Sequence, residues 1–337
     1  MGLLPDFRTA ERGFWRMTPN ELTAATSGAQ EAPGDAASAS RRAAVEVPTL
    51  LLLVATYVAW LGVTFAYGRW SLALVAPLAV LLLTLHSSLQ HEIVHGHPTR
   101  WAALNRLLGI VPLSLWLPYE RYRCLHRVHH NDVRLTDPLD DPESFYWTRA
   151  QWGELGPLAR ALLRFQQTLA GRVLIGSLWR IGAFWHAEWQ ALRAGDRPVR
   201  RAWLEHLLWC VPVIAWIELV CGMPLWLYAA ATVIPSNGLL LVRSFAEHRA
   251  RPAVPARIAI VERSWLLGPL YLFNNLHALH HETPTLPWYA YPSHYRRHRE
   301  RLLAANGALV YRTYFDVARR YLFSPHDVLE HPTDRAP

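Results

Sequence analysis

Four apolar runs, set between polar stretches rich in histidine, organise this chain of 337 residues. They cover about 47–66, 70–89, 203–220 and 224–242, each close to the roughly 20 residues a helix needs to cross a bilayer. The turns around 67–69 and 221–223 are too short to hold a soluble domain, so the runs predict two transmembrane hairpins. A fifth apolar piece, 104–117, is interrupted by Pro112 and followed by Pro118, which predicts an interfacial or re-entrant helix rather than a span. Around 162–192, Arg164, Arg172, Arg180 and Arg193 alternate with Trp179, Trp185 and Trp189, a mixture suited to the lipid headgroup layer. Residues 1–46 lack an early apolar run and include a low-complexity stretch over 27–40. They read as a flexible tail and not as a signal peptide.

Composition supports a membrane setting: 52% of residues are hydrophobic and 16 are Trp. Mean hydropathy of only +0.05 implies a sizeable polar portion outside the bilayer. The net charge is +8, and every basic residue is arginine because the chain contains no lysine. Schiff-base and phosphate-loop lysine chemistry are therefore excluded. No basic stretch is interleaved with stacking aromatics in a polar groove, so nucleic acid is not an expected partner. The two short turns hold only Arg69, while the tail, the middle segment and the C-terminal third carry nearly all other arginines. By the positive-inside rule, both termini and the intervening polar segments belong to the cytoplasm. Cys124, Cys210 and Cys221 show no Cys-x-x-Cys spacing, so neither a disulfide framework nor an iron–sulfur module is encoded.

The chemistry lies in nine histidines beside the ends of these runs: His91 and His95; His126, His129 and His130; His248; and His277, His280 and His281. Spacings of three and four residues put the rings of each cluster on one helical face. A zinc site closes with about three or four protein ligands, so nine imidazoles exceed one zinc. Two octahedral ions with open positions would use this number well, although imidazole by itself suits iron, copper, nickel and zinc. His97 points away from the first cluster on a continuing helix, predicting a surface or outer-shell role. His86, inside an apolar run, predicts a hydrogen-bonded core histidine. Asp137, Asp140, Asp141 and Glu143 follow the second cluster, and some of them are candidates to accept the free N–H of ligand imidazoles.

The order His-x-x-x-His, His-x-x-His-His, His-x-x-His-His with intervening hairpins resembles the membrane fatty acid desaturase and hydroxylase superfamily over about 45–300. Gln90-His91-Glu92, the Tyr122-Arg123 pair before His126, and His280-His281-Glu282 followed by Pro284, Pro287, Trp288 and Tyr289 resemble bacterial members. The segment from Arg243 to Arg249, containing His248, looks like the family's extra ligand segment. The resemblance implies a dinuclear iron site held by His91, His95, His126, His129, His130, His248, His277, His280 and His281, with Asn274 or Asn275 completing the shell. It implies oxygen as co-substrate and a double bond introduced into the acyl chain of a lipid or fatty acyl thioester. A lipid or carotenoid hydroxylase on the same scaffold is the alternative. Electrons would come from a separate carrier such as ferredoxin, and the setting would be a bacterial inner membrane. Which iron each histidine serves stays open in the sequence.

Two more distant classes fit less well. A haem-binding electron carrier wants single histidines facing one another within the spans, and a zinc hydrolase using Glu92 as its acid-base group leaves most of the histidines unexplained. The expected architecture is an all-α integral membrane protein: four transmembrane helices in two hairpins beneath a cytoplasmic helical cap that holds the dinuclear metal site. A flexible tail over 1–46, a membrane domain over 47–300 and a cytoplasmic C-terminal segment over 301–337 divide the chain, with no chemistry assigned to the last.

Overall fold

Helices dominate the computed structural model, which describes residues 44–130 and 132–332, so the tail expected over 1–46 lies almost wholly outside the described residues. Four helices are long and apolar enough to cross a membrane: Val47–Phe65, Leu72–Val94, Arg197–Val220 and Leu225–Glu247. Large apolar side chains such as Leu51, Val58, Leu81, Leu207 and Val211 point outward from them, which only an apolar surrounding makes favourable. Hydroxyls within the spans bond back to the helix: Thr56 to the Leu52 carbonyl, Thr64 to Trp60 and Thr84 to Val80. No polar side chain of this set is left to face lipid unsatisfied.

Three spans outrun their apolar stretches, because lipid exposure sets the hydrophobic run while a helix ends only at a stop signal. The second continues to Val94, with His95 as its C-cap and Gly96 at φ +93°, a left-handed conformation that glycine adopts without strain. The third begins at Arg197, where Asp196 accepts the Val199 amide and Pro198 occupies the first turn. The fourth runs to Glu247, which makes His248 its C-cap. His97 departs from expectation: the helix has already ended, and its fully buried ring meets Glu46 with Nδ1 2.7 Å from Oε1. His86 is buried as expected, with Nε2 3.2 Å from the Tyr57 hydroxyl.

The first two spans pack along each other, and the second also packs on the fourth. The third and fourth meet mainly near their connecting turn, where each carries one wider π turn, Trp216–Val220 and Ala229–Val233. The broken apolar piece is helical only over Ala102–Gly109. The following loop enters the bundle, where Leu113 shares one core with Trp60, Val75, Leu83, Ile217 and Tyr228. The Tyr228 hydroxyl donates to the Leu113 carbonyl at 2.7 Å and accepts from the Trp60 indole at 3.0 Å, so the inserted loop is pinned.

The described chain is not purely α-helical. Strand β1, Ile260–Val261, pairs in parallel with β2, Val310–Tyr311. Two residues per strand leave no readable alternation, and a parallel pair formed across a long crossover has no local signature. The helix Tyr291–Ala305 runs through residue 300, and the helix Tyr314–Tyr321 follows β2. Residues beyond 301 thus pair, through β2, with the strand that follows the fourth long helix. Within this segment His326 is buried with Nε2 2.7 Å from the Tyr311 hydroxyl, and His331 lies 3.0 Å from the Thr136 hydroxyl.

Candidate metal centre

The fold gathers all nine singled-out histidines into two neighbouring groups. His91, His95, His126, His130 and His280 form one; His129, His248, His277 and His281 form the other; within each, one ligand atom per residue lies within 4.8 Å of all the rest. The division follows helix geometry. On the helix Tyr119–His129 and its C-cap, His126 and His130 are four residues apart and share a face, while His129 is turned about 100° from His130. On the helix His277–Glu282 the same arithmetic pairs His277 with His281 and sends His280 to the other group. Each short helix therefore serves both groups, in opposite proportion.

These helices are held from behind. Arg121 makes bidentate bonds of 2.8–2.9 Å to the buried Glu188 carboxylate, which also accepts the Trp203 indole N–H at 2.9 Å. Arg106 binds both Glu120 and Glu205, tying the same helix to the third span. Glu92 accepts the Trp288 amide N–H at 3.3 Å, which joins the second span to the segment after the third cluster.

The rings are oriented by a set of acceptors at Nδ1. His129 donates to Asp141 at 2.9 Å and His126 to Glu143 at 3.0 Å. His277 donates to the Asn274 side-chain oxygen at 3.0 Å, with Glu247 3.3 Å away. The His280 Nδ1 lies 3.0 Å from the Tyr291 hydroxyl, which also donates to the Thr283 carbonyl at 3.3 Å. Asp141 holds its own loop by accepting the Thr136 and Glu143 amides, both at 2.8 Å. Two of the four acidic candidates, Asp141 and Glu143, thus reach histidines. Asp137 instead accepts the Leu139 and Asp140 amides and shapes the turn. Asn274 sits behind His277, whereas the Asn275 amide donates to the Val261 carbonyl. Glu247 and Tyr291 were not singled out in the sequence. Glu247 had a faint signal, adjacent to His248 and one turn after Arg243, while Tyr291 had none.

Because those Nδ1 atoms carry the proton, the inward Nε2 atoms of His126 and His277 present lone pairs, while that of His129 carries a second proton until a cation displaces it. They face other Nε2 atoms at 2.9–3.2 Å: His95 and His130 against His126, and His248 against both His129 and His277. His248 can donate to only one of its two neighbours, and the buried Nε2 of His91 has no hydrogen-bond partner. Converging lone pairs repel unless cations lie between them, so the donor set fits two metal ions. Burial together with neighbouring imidazoles holds the pKa of His95, His130, His248, His277 and His280 well below the histidine range, keeping them neutral. His129 differs: burial opposes its charge, but Asp141 and Glu143 outweigh burial and push its pKa up to about 9. In Glu143, burial is likewise outweighed by His129 and His126, which hold its carboxyl well below the usual range.

A cavity of about 510 Å³ adjoins this centre, with Tyr122 and Glu143 in its wall. Tyr122 stacks on the His126 ring at 5.6 Å, so the cavity and the first group share a boundary.

Four helices long and apolar enough to cross a membrane, beside two adjoining all-imidazole groups that could hold metal ions, fit an integral membrane protein with a metal centre. Residues 68–314 match the family model described as Fatty acid desaturase, and the chain belongs to that family. It is accordingly an oxidoreductase of the membrane desaturase and hydroxylase superfamily. No curated protein matches the chain.

Proposed function

We propose that this chain is a membrane-bound di-iron, oxygen-dependent fatty acid desaturase that introduces a double bond into an acyl chain. The observation that carries this reading is the pair of neighbouring groups of five and four imidazoles, more than a structural or hydrolytic zinc uses. Iron, when bound and reduced, supplies the oxygen chemistry needed to break an unactivated C–H bond.

The chain's own residues hold and orient. His91, His95, His126, His130 and His280 would hold one ion, and His129, His248, His277 and His281 the other. Asp141, Glu143, Asn274 and Tyr291 fix tautomer and ring angle. The cavity beside Tyr122 and Glu143 brings the substrate to the first group and keeps bulk water from it. The metal site and both termini face the cytoplasm of a bacterial inner membrane, on the strength of the arginine distribution. Electrons come from a separate carrier such as ferredoxin, since the three cysteines of the chain form no cluster motif. An acidic carrier suits the arginine-rich face.

Mass spectrometry of total lipids from cells expressing the chain, with His129→Ala as control, tests the reading. Acyl chains lighter by two hydrogens only with the intact protein are expected. Chains heavier by one oxygen would instead make it a hydroxylase.

A further inference from the structure

The cavity beside the metal centre is not uniformly apolar, and its charges are unequally matched. Aromatic rings of Trp116, Phe145, Trp179 and Phe184 form much of its wall, yet Arg172 and Arg180 also line it. Arg172 is buried, its guanidinium 3.6 Å from the Phe145 ring centroid and 5.6 Å from that of Phe245. Its polar partners are uncharged: the Gln166 carbonyl at 3.0 Å and the Gln167 side-chain oxygen at 3.4 Å. Burial pushes its pKa down, as expected for a cation short of counter-charge. Arg180, half-buried, lies over the same Phe145 ring at 5.9 Å. Neither guanidinium has a carboxylate ion-pair partner among the described residues. Among the described residues the only acid in the wall is Glu143, whose carboxylate accepts from His126 and is held ionised by His129, His126 and, through space, Arg180, so it is shared among three cations at most and leaves Arg172 without an anion. Gln166, also buried in the wall, has a side-chain amide nitrogen without a partner.

We propose that this cavity admits the substrate with an oxyanion end, a carboxylate or a phosphate, seated against Arg172 and Arg180, and with its apolar chain between the aromatic walls. A bidentate oxyanion would match a planar guanidinium and relieve its desolvation, while Gln166 supplies a further donor. The proposal rests on the reading of this centre as acting on acyl chains, and it narrows the substrate to one whose charged end enters the protein.

Direct binding to the purified full chain in detergent micelles, without turnover, tests it. Tritiated palmitate is the probe, with hexadecyl phosphate and hexadecanol as competitors. Palmitate or hexadecyl phosphate should bind at least tenfold more tightly than hexadecanol, and the tighter of the two identifies the oxyanion. Arg180→Gln should weaken the anion at least tenfold and leave hexadecanol within twofold, while Arg180→Lys recovers part of the loss. Arg193→Gln, at the exposed end of the helix Gly176–Arg193 that also carries Arg180, should leave all three unchanged. A thermal midpoint for each variant separates lost binding from lost folding. Equal binding of anions and alcohol, or an Arg193→Gln loss matching that of Arg180→Gln, would overturn the proposal. Lipid products from cells expressing the intact chain report on the acyl-oxidation reading independently.

Discussion

The two histidine groups draw on the same two short helices, yet they are backed differently. The group of five takes His91 from the last turn of the second span and His95 from its cap, and one carboxylate, Glu143, stands behind it. The group of four depends on His248 at the end of the fourth span and has Asp141 and Glu247 beside it, with Asn274. More imidazoles with less anionic support face fewer imidazoles with more. Carboxylate-backed imidazoles are stronger donors, so two sites of nearly equal ligand type need not hold metal equally. The smaller group is the one that can least lose a ligand.

Ligand removal gives the largest expected effect. His248→Ala leaves three imidazoles in the smaller group, and His95→Ala leaves four in the larger. Both should lower product formation by at least about 100-fold, the upper end of what outer partners cost. After a chelator challenge, metal analysis should find less metal retained by His248→Ala than by His95→Ala; the reverse order would break the comparison.

Removing the support is the next step down. Asp141→Asn should weaken metal binding by about 10–100-fold. Tyr291→Phe, which removes a neutral hydroxyl, should weaken it by less. Equal losses in competition titrations would show that anionic backing is not what separates the groups.

Tyr228→Phe supplies a control remote from both groups. It leaves the Leu113 carbonyl and the Trp60 indole N–H without their partner, at a cost of about 1–3 kcal/mol each if unrelieved. The thermal midpoint should fall while the metal count stays the same.

The smallest effect concerns acid. Burial pushes the His326 pKa down to about 3, and its ring packs 4.7 Å from Phe245, one turn before His248. A depressed histidine favours the neutral form in the folded state, so nothing is lost above the ordinary value of 6.5 and stability falls as pH drops from there towards 3. Metal release on acidification should begin at the group of four, and His326→Gln should remove this component. Release curves for wild type and variant that coincide would sever the link.

Much of this was legible along the chain. Apolar runs of bilayer length announced the spans, and helical spacing of histidines announced their shared faces. The break in the fifth apolar piece was readable from Pro112 and Pro118, but the core it enters was not, because Leu113 meets Trp60 and Tyr228 only after the long helices assemble. The true ends of the spans escaped the hydropathy pattern because helices continue past the apolar run until a cap such as His95 and Gly96 stops them. His97 was misplaced for the same reason. Tyr291 and Glu247 gave little or no signal, since a hydrogen bond between distant elements has no periodicity of its own.

By itself the sequence determined that nine imidazoles would lie beside the long apolar helices, and therefore that a cluster of possible metal ligands would form there. Composition and local helical geometry act within a few residues. Only the tertiary structure decided how those nine divide, which acids stand behind them, and that the segment after residue 301 pairs with β1. Those outcomes depend on which faces of separate helices meet, and a parallel pairing such as Ile260 with Val310 forms only when the chain between them has folded.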